Sequence, residues 1–519
     1  MIRAISDIAA GLEPPRKGAP LRLGVRLHVI GVGGTASLAA ALHAKALGLS
    51  VSGYDQALTN ATREILTEAG VRIGSAIDAD VISHCGSLNS NSLVAISKAI
   101  TSTNPDHPEL AAARTAGAHL ISVQQIIADA AATRGGLLIG IGGTHGKTTT
   151  TGWVLDALIR SGLNPSAFVG GPLVMGIGTP PGSPVHIGSE PGFIVEADEY
   201  GGNFDPYYAD RALILNVDWD HPDIFSDRRA AVETFARWAT TPAVGGVLFI
   251  NTSDTGGAEL ATLMAKESHH GLYTIRIPTS RESTNADVVG RVISRGEGSY
   301  SLELTHLTDR AAAAAPALLQ LRSEQIPLAL LGSHNASNAL GVAALAASAG
   351  GTAEGISQSL AQFTGVGRRL EARYDASGVT VLDDYGHHPT AIDVTLATVR
   401  DRYPGRRLVL AIEPLTYHRT AALLDSLARS CSAADEVAVA EIFAVRDLDT
   451  TSVTSEDLAR RIAALGTPAT APGTVLETAA ALLPTIAPNS VVLVMGGGRS
   501  TELAAALADG LAARGALRG

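Results

Sequence analysis

At 519 residues the chain has room for about three domains of ordinary size. Its composition, 46% hydrophobic, rich in Ala and Gly and poor in aromatics, suits α/β layers with small residues at helix–sheet contacts. A net charge of −11 argues against a non-specific nucleic-acid binder, and no apolar run approaches the ~18 residues of a membrane helix. Two distant cysteines, Cys85 and Cys431, give neither a disulfide framework nor a zinc spacing. A reducing cytoplasm is the expected compartment, with neither nucleic acid nor membrane as partner.

Residues 1–25 read as an N-terminal extension. They lack the continuous apolar stretch of a secretory signal, and Pro14, Pro15 and Pro20 make the end irregular. A first domain, 26–135, opens on a strand within 23–34 that ends in HVIGVGG. The helix TASLAAALHAKALG and the strand LSVSGYD follow. Gly31, Gly33 and Ala36 fit the G-x-G-x-x-G/A turn, with Asp55 about 20 residues beyond it. Alone, this pattern is compatible with NAD, with another nucleotide, or with a tight turn only. Further βα units are predicted to residue 135, with AISKAITSTNPDHPEL as a strand end and loop.

A second domain, 136–366, begins with LLIGIGGTHGKTTTT, from Leu137 to Thr151. An apolar strand runs into a glycine loop, a lysine and the threonines that open a helix. Backbone N–H groups of Gly142, Gly143, Thr144, His145, Gly146, Lys147, Thr148 and Thr149 are placed to cradle phosphates at a helix N-terminus. Lys147 would reach the β- and γ-phosphates, and the Thr148 hydroxyl would sit on Mg²⁺. ATP is therefore the predicted ligand. Ile141 stands where the general P-loop has Gly, so this is the shorter G-T-x-G-K-T form. The strands GFIVEADE (192–199) and RALILNVDWDH (211–221) carry acids or His to their C-terminal ends, where ligands of open α/β sheets collect. Alternation puts Glu196 and Asp198 on one face, and their hard oxygens suit Mg²⁺. His221 lies beside Asp218, Asp220 and Asp223. Residues 170–192 read as a Gly/Pro-rich loop. Signals over 253–325 are weaker, apart from the strand-like SYSLELTHL; the Ala run at 311–315 carries little information. LLGSHNASNALGVAALAASAG reads as a loop feeding a helix that ends at Gly350–Gly351.

A third domain, 367–519, shows the strands GVTVLDDYG, RRLVLAIEP, EVAVAEIF and SVVLVMGGG in a doubly wound pattern, with GGGRS (496–500) as a structural turn. Arg368 and Arg369, then Asp383, Asp384, Tyr385, His387, His388 and Thr390, then Tyr417, His418 and Arg419 crowd its strand ends. So dense a set of titratable groups points to function.

The order GVGG, GGTHGKTTT, EADE, NVDWDH, GSHNASNA, GVGRR, DDYGHHPT resembles the Mur ligases of peptidoglycan synthesis from about residue 25 to the C-terminus. The resemblance implies three α/β domains: a Rossmann-like N-terminal domain for a UDP-sugar, a central P-loop ATPase domain, and a Rossmann-like C-terminal domain for the amino acid and for closure. It puts Gly31, Gly33, Gly34, Ser37 and Asp55 around the UDP, and Asn335 and Asn338 by the adenine and ribose. It makes Lys147, Glu196 and His221 the catalytic set. Thr148, Glu196 and His221 would hold metal. Arg369 would close on the nucleotide, and Asp384, Tyr385, His387, Tyr417 and Arg419 on the substrate. The implied activity joins L-alanine to UDP-N-acetylmuramate through an acyl phosphate, with ATP and Mg²⁺, in a monomer or weak dimer. No lysine occurs between His221 and Lys266, which fits the alanine-adding branch and its tripeptide-recycling relative. In EPLTYHRT, Glu413 and Leu415 stand where the family commonly has Gln and His, and EADEYGG departs mildly from EADESD. Leu415 keeps the tripeptide ligase open as an alternative. A P-loop ATPase without a ligation product, or an NAD-binding oxidoreductase, are alternatives of another class.

Overall fold

A computed structural model describes residues 3–74, 92–173, 180, 182–240, 246–266, 271–277, 285–444, 447 and 449–516. Cys85 and parts of the 170–192 and 253–325 segments lie outside these. Cys431 is buried and free.

Three sheets run in chain order. The first is wholly parallel, β3–β2–β1–β4–β5, from β1 (Arg26–Ile30), β2 (Ser50–Tyr54), β3 (Arg72–Ile73), β4 (Ser92–Ile96) and β5 (His119–Ser122). Strand order reverses beside β1, so the turn at Gly31–Gly34 opens on the crevice where such sheets bind ligands.

Among the described residues the central sheet has ten strands. Its parallel part centres on β6 (Leu138–Gly142), flanked by β9 (Phe193–Ala197) and β10 (Arg211–Ile214). Outward from β9 lie β7 (Ser166–Phe168) and β8 (Val185–His186). Outward from β10 lie β11 (Val247–Asn251), β12 (Leu272–Arg276) and the antiparallel set β13 (Val288–Gly296), β14 (Ser299–Leu307) and β15 (Gln325–Pro327). Helices Lys147–Arg160 and Ser333–Ser348 cover one face. Trp238 of helix Arg228–Ala239 packs on the other, against Gly140 and Gly142. Coverage on both faces explains why these strands are apolar throughout rather than alternating.

The third sheet is β16–β17–β21–β18–β19–β20, from β16 (Glu371–Ala376), β17 (Val379–Asp384), β18 (Arg407–Glu413), β19 (Glu436–Ala440), β20 (Ala469–Gly473) and β21 (Ser490–Gly496). Only β16 within it runs antiparallel. The expected α/β class, with parallel doubly wound first and third sheets, is the one observed.

Several elements differ from the sequence reading. The predicted loop at 97–110 is largely helical: Lys98–Thr103, capped by the Ser97 hydroxyl, then Pro108–Thr115 with Pro at its first position. The Ala run belongs to helix Asp309–Ala314, capped by Thr308. The strand drawn through His221 stops at Ile214, because the chain from Leu215 turns to support the phosphate loop. Edge strands β16 and β20 were not anticipated; β20 contains Pro472, which an edge tolerates. Residues 3–25 of the extension pack on the first domain. Arg16 makes two 2.8 Å bonds to Asp129, and the backbone N–H groups of Ala19 and Leu21 donate to Asp129 and Thr133 of helix Val123–Arg134.

Candidate active site

The phosphate loop joins β6 to helix Lys147–Arg160. Gly146 has φ +82°, and a Cβ there would lie 3.0 Å from Asn338 Nδ2, so glycine is required by both backbone and space. Asn216 clamps the loop: its Oδ1 accepts from His145 N (2.8 Å), its Nδ2 donates to the His145 carbonyl (3.0 Å), and its carbonyl accepts from Thr144 N (3.2 Å). Asn216 stood in the NVDWDH motif, but nothing in the sequence marked it as the loop's support.

Lys147 Nζ lies 2.9 Å from Glu199 and 3.8 Å from Asp198. Burial works against its charge, but Glu199, Asp198 and Glu196 outweigh burial and hold the ammonium protonated. Glu196 shows the opposite balance. Burial pushes its carboxyl up to about 7, against the pull of Lys147 and a Thr148 hydrogen bond. Its Oε2 is buried without a hydrogen-bond partner, and Gly170 leaves room for it: a Cβ there would lie 2.3 Å away. A buried carboxylate oxygen of this kind, beside the Thr148 hydroxyl, fits a hard divalent cation. Asp198, Glu199 and His221 also offer ligand atoms within 4.8 Å of one another. His221 has φ +54°, an uncommon conformation for a residue with a side chain, and its ring packs 4.9 Å from that of Tyr200.

Lys147, Glu196, Asp198, Tyr200 and His221 line one cleft of about 860 Å³ that extends to the third sheet. Arg419 Nε lies 2.8 Å from Asp220, and its Nη2 is 3.1 Å from His221 Nδ1. Burial disfavours the Asp220 charge, yet Arg419 and then His221 hold its carboxyl well below the usual range. Asp218 is held below the usual range against burial by His145 and Thr390, and His388 Nε2 meets the Trp219 carbonyl. His387 is kept neutral by burial and by Arg419. Asp384 accepts from Leu370 N and Gly386 N, and the Arg369 guanidinium lies 5.4 Å from the Tyr385 ring centroid.

The cleft gathers Thr144 to Thr149, Glu196, His221, Asn335, Asn338, Arg369, Asp384, Tyr385, His387 and Arg419. Gly142 and Gly143 lie behind it. Gly31, Gly33, Gly34 and Asp55 form their own turn, in which Gly33 N donates to Asp55 Oδ2. The next residues, Thr35 and Ala36, reach the cleft wall, whereas Ser37 is buried in the helix. Tyr417 does not line the cleft. It opens a short helix whose first N–H groups donate to Asp447, a support the sequence gave no sign of. Asp383 faces Arg373, on the far side. Glu413 turns away from the cleft and accepts from the N–H groups of Gly498, Arg499 and Ser500, while Leu415 lines the cleft.

The chain matches three family descriptions: "Mur ligase family, catalytic domain" over residues 26–134, "Mur ligase middle domain" over 141–346, and "Mur ligase, glutamate ligase domain" over 368–498. This chain belongs to the Mur ligase family. The Mur ligase is 33% identical to a UDP-N-acetylmuramate–L-alanine ligase of Mycolicibacterium vanbaalenii, over 92% of this chain and 94% of that one. It is 33% identical to the enzyme of the same name from Kineococcus radiotolerans, over 82% and 83%. In fold it resembles the UDP-N-acetylmuramate-alanine ligase of Thermotoga maritima, with a TM-score of 0.73 at 21% identity, covering 94% of this chain and 100% of that one. A murein peptide ligase of Psychrobacter arcticus follows at 0.68 and 22%, covering 94% and 99%.

Proposed function

We propose that this Mur ligase joins L-alanine to the carboxylate of UDP-N-acetylmuramate, driven by ATP through an acyl phosphate, in peptidoglycan precursor synthesis. The observation that carries the reading is the single cleft. In it the phosphate loop, the partnerless Glu196 oxygen and Arg419 of the third sheet converge, with Thr35 and Ala36 of the Gly31–Gly34 side on its wall. The alanine-adding names of its relatives support the choice of substrates.

Residues 26–135 take the UDP-sugar, 136–366 the ATP and 367–519 the amino acid; 1–25 are the extension. Gly31, Gly33, Gly34 and Asp55 surround the UDP, with Ser37 buried behind them in the helix, and Asn335, Asn338 and Arg369 surround the nucleoside. The sugar carboxylate attacks the γ-phosphorus of ATP, and Lys147 spreads the charge of the transferring group. Thr148, Glu196 and His221 would hold Mg²⁺, which neutralises phosphate charge. The amine of the amino acid then attacks the acyl carbon, and phosphate leaves. His387 Nδ1 lies 2.9 Å from the Tyr385 carbonyl, which puts its proton on Nδ1 and leaves Nε2 as a neutral hydrogen-bond acceptor for the substrate. Asp384, Tyr385 and Arg419 close the third domain over the reactants and keep water from the acyl phosphate, while Tyr417 starts the short helix that carries Arg419. Among the described residues no helix is long and apolar enough to cross a membrane. The enzyme works in the cytoplasm, as a monomer or weak dimer.

Leu415 in the cleft wall favours a second reading, in which a tripeptide replaces L-alanine. Phosphate release and product mass with UDP-N-acetylmuramate and L-Ala, L-Ser, Gly or tripeptide decide between them. L-Ala as the best substrate supports the first reading, and the tripeptide alone supports the second. ATP hydrolysis without any new amide overturns both.

A further inference from the structure

Lys98 is 4% exposed, and its ammonium donates to two backbone carbonyls, those of Gly201 and Gly202, each at 2.8 Å. The lysine belongs to the helix after β4, on the first sheet. Its acceptors belong to the turn after β9, on the central sheet. Both glycines are left-handed, φ +57° and +68°, which presents their carbonyls together. A buried ammonium is tolerated only while such acceptors are in place.

The same turn carries the cation side of the cleft. The Tyr200 ring packs on His221, and its hydroxyl donates to Asp223 Oδ2 at 3.2 Å. Asn203 holds Asp198 at 2.8 Å. The N-terminal segment closes the arrangement from outside. Arg3 N donates to the Asp223 carbonyl and Arg3 Nη2 to the Ser102 carbonyl, both at 2.7 Å. Ile8 is fully buried; its carbonyl accepts from Thr101 Oγ1, and a Cβ on Gly201 would lie 3.1 Å from its side chain. Residues 3–8 therefore touch the Lys98–Thr103 helix and the Tyr200–Asp223 shelf at once.

We propose that Lys98 and the Arg3–Ile8 segment form an interdomain brace that fixes the Tyr200–Gly202 turn and, through Tyr200, the His221 ring. Lys98 is thus a positioning residue for the cation side of the reaction proposed above, on which this inference rests. Separating the two sheets here would break both of these hydrogen bonds.

The test uses the full-length enzyme with Lys98→Met, Lys98→Arg, Ile8→Ala and a deletion of residues 1–9. Amide formation is followed against Mg²⁺ concentration. Mn²⁺ affinity in the presence of ADP is measured by calorimetry, and ADP affinity without metal separately. Lys98→Met is expected to weaken Mn²⁺ binding and to raise the Mg²⁺ requirement by roughly tenfold, the scale of a lost hydrogen bond to a charged group. Metal-free ADP affinity stays within about twofold, because the phosphate loop of P-loop proteins holds nucleotide through its own N–H groups. Lys98→Arg recovers part of the loss, and the deletion and Ile8→Ala shift the metal dependence the same way. Wild-type metal dependence in a folded Lys98→Met, or a loss confined to ADP affinity, overturns the brace. If Lys98→Met does not fold, wild-type metal dependence in both Ile8→Ala and the deletion overturns it. Wild-type enzyme that forms no amide instead overturns the proposed reaction, while the Mn²⁺ measurement still reports on the brace.

Discussion

Arg419, 3% exposed on the third sheet's side of the cleft, sits 2.8 Å from Asp220 of the central domain, itself 8% exposed. The pair joins the two bodies beside His221. Removing one partner of such a pair leaves an uncompensated buried charge, at a cost of about 3–5 kcal/mol. That cost falls on the closed arrangement. Arg419→Ala is expected to open the third domain, enlarging the radius of gyration in solution scattering, and to raise KM for the amino acid. Arg419→Lys should restore part of the compaction. Identical scattering for wild type and Arg419→Ala would mean that closure is held elsewhere.

Lys147 is the second test. Its ammonium is held by Glu199 and Asp198 and is aimed along the phosphate loop. Lys147→Ala should cost ~3–4 kcal/mol of transition-state stabilisation, as for loss of a preorganised donor, so kcat falls by roughly two to three orders of magnitude. The far-UV spectrum should be unchanged. Wild-type turnover in this variant would end the mechanism.

Glu413 was readable as a departure from a family motif, but not for what it does. In the sequence only Pro414 separates it from Leu415, so both are expected to bear on the amino-acid pocket. In the fold they diverge, because β18 ends at Glu413 and the side chain points to the start of helix Ser500–Ala516. There it accepts three N–H groups at the positive end of the helix. Glu413→Ala should destabilise the protein by about 1–3 kcal/mol, since three donors lose their acceptor. Amino-acid preference should be unaffected. A changed preference in the substrate panel, with stability unaltered, would return Glu413 to the pocket.

Glu413 illustrates where the sequence stops being legible. Motifs that are local in sequence, such as the Gly146–Lys147 turn or the strand carrying Glu196, announce themselves because the chemistry needs neighbouring residues in fixed order. Apolar strands of the doubly wound sheets are similarly plain. Supports that cross the fold are not. Asn216 grips His145 from 71 residues away, Asp447 holds Tyr417 from 30, and Lys98 reaches Gly201 from 103. Each is an ordinary polar residue until tertiary structure brings its partner. The 97–110 segment was missed for another reason. Its β-branched residues lower helix propensity, and the Ser97 cap and Pro108 that outweigh them are single-residue signals.

The fourth prediction concerns acid. His43 lies on helix Thr35–Ala46 of the first domain, with Nε2 3.1 Å from the Ala167 carbonyl of β7. Burial pushes it down to about 3, only partly offset by that hydrogen bond, so it is neutral in the fold. Unfolded histidine titrates near 6.5, so below that pH the unfolded chain binds the proton first. Stability is therefore full above about 6.5 and is lost as pH falls toward 3, at about 1.4 kcal/mol per unit. His334 and His388, each pushed down to about 4 by burial, act in the same direction over a shorter window. His43→Gln keeps a donor for the Ala167 carbonyl but takes up no proton. Its unfolding free energy, measured in denaturant between pH 7 and 4.5, should fall less steeply than that of wild type. Parallel slopes would mean that His43 is protonated in the folded protein, and the contact between helix Thr35–Ala46 and β7 would then have to accommodate a charge.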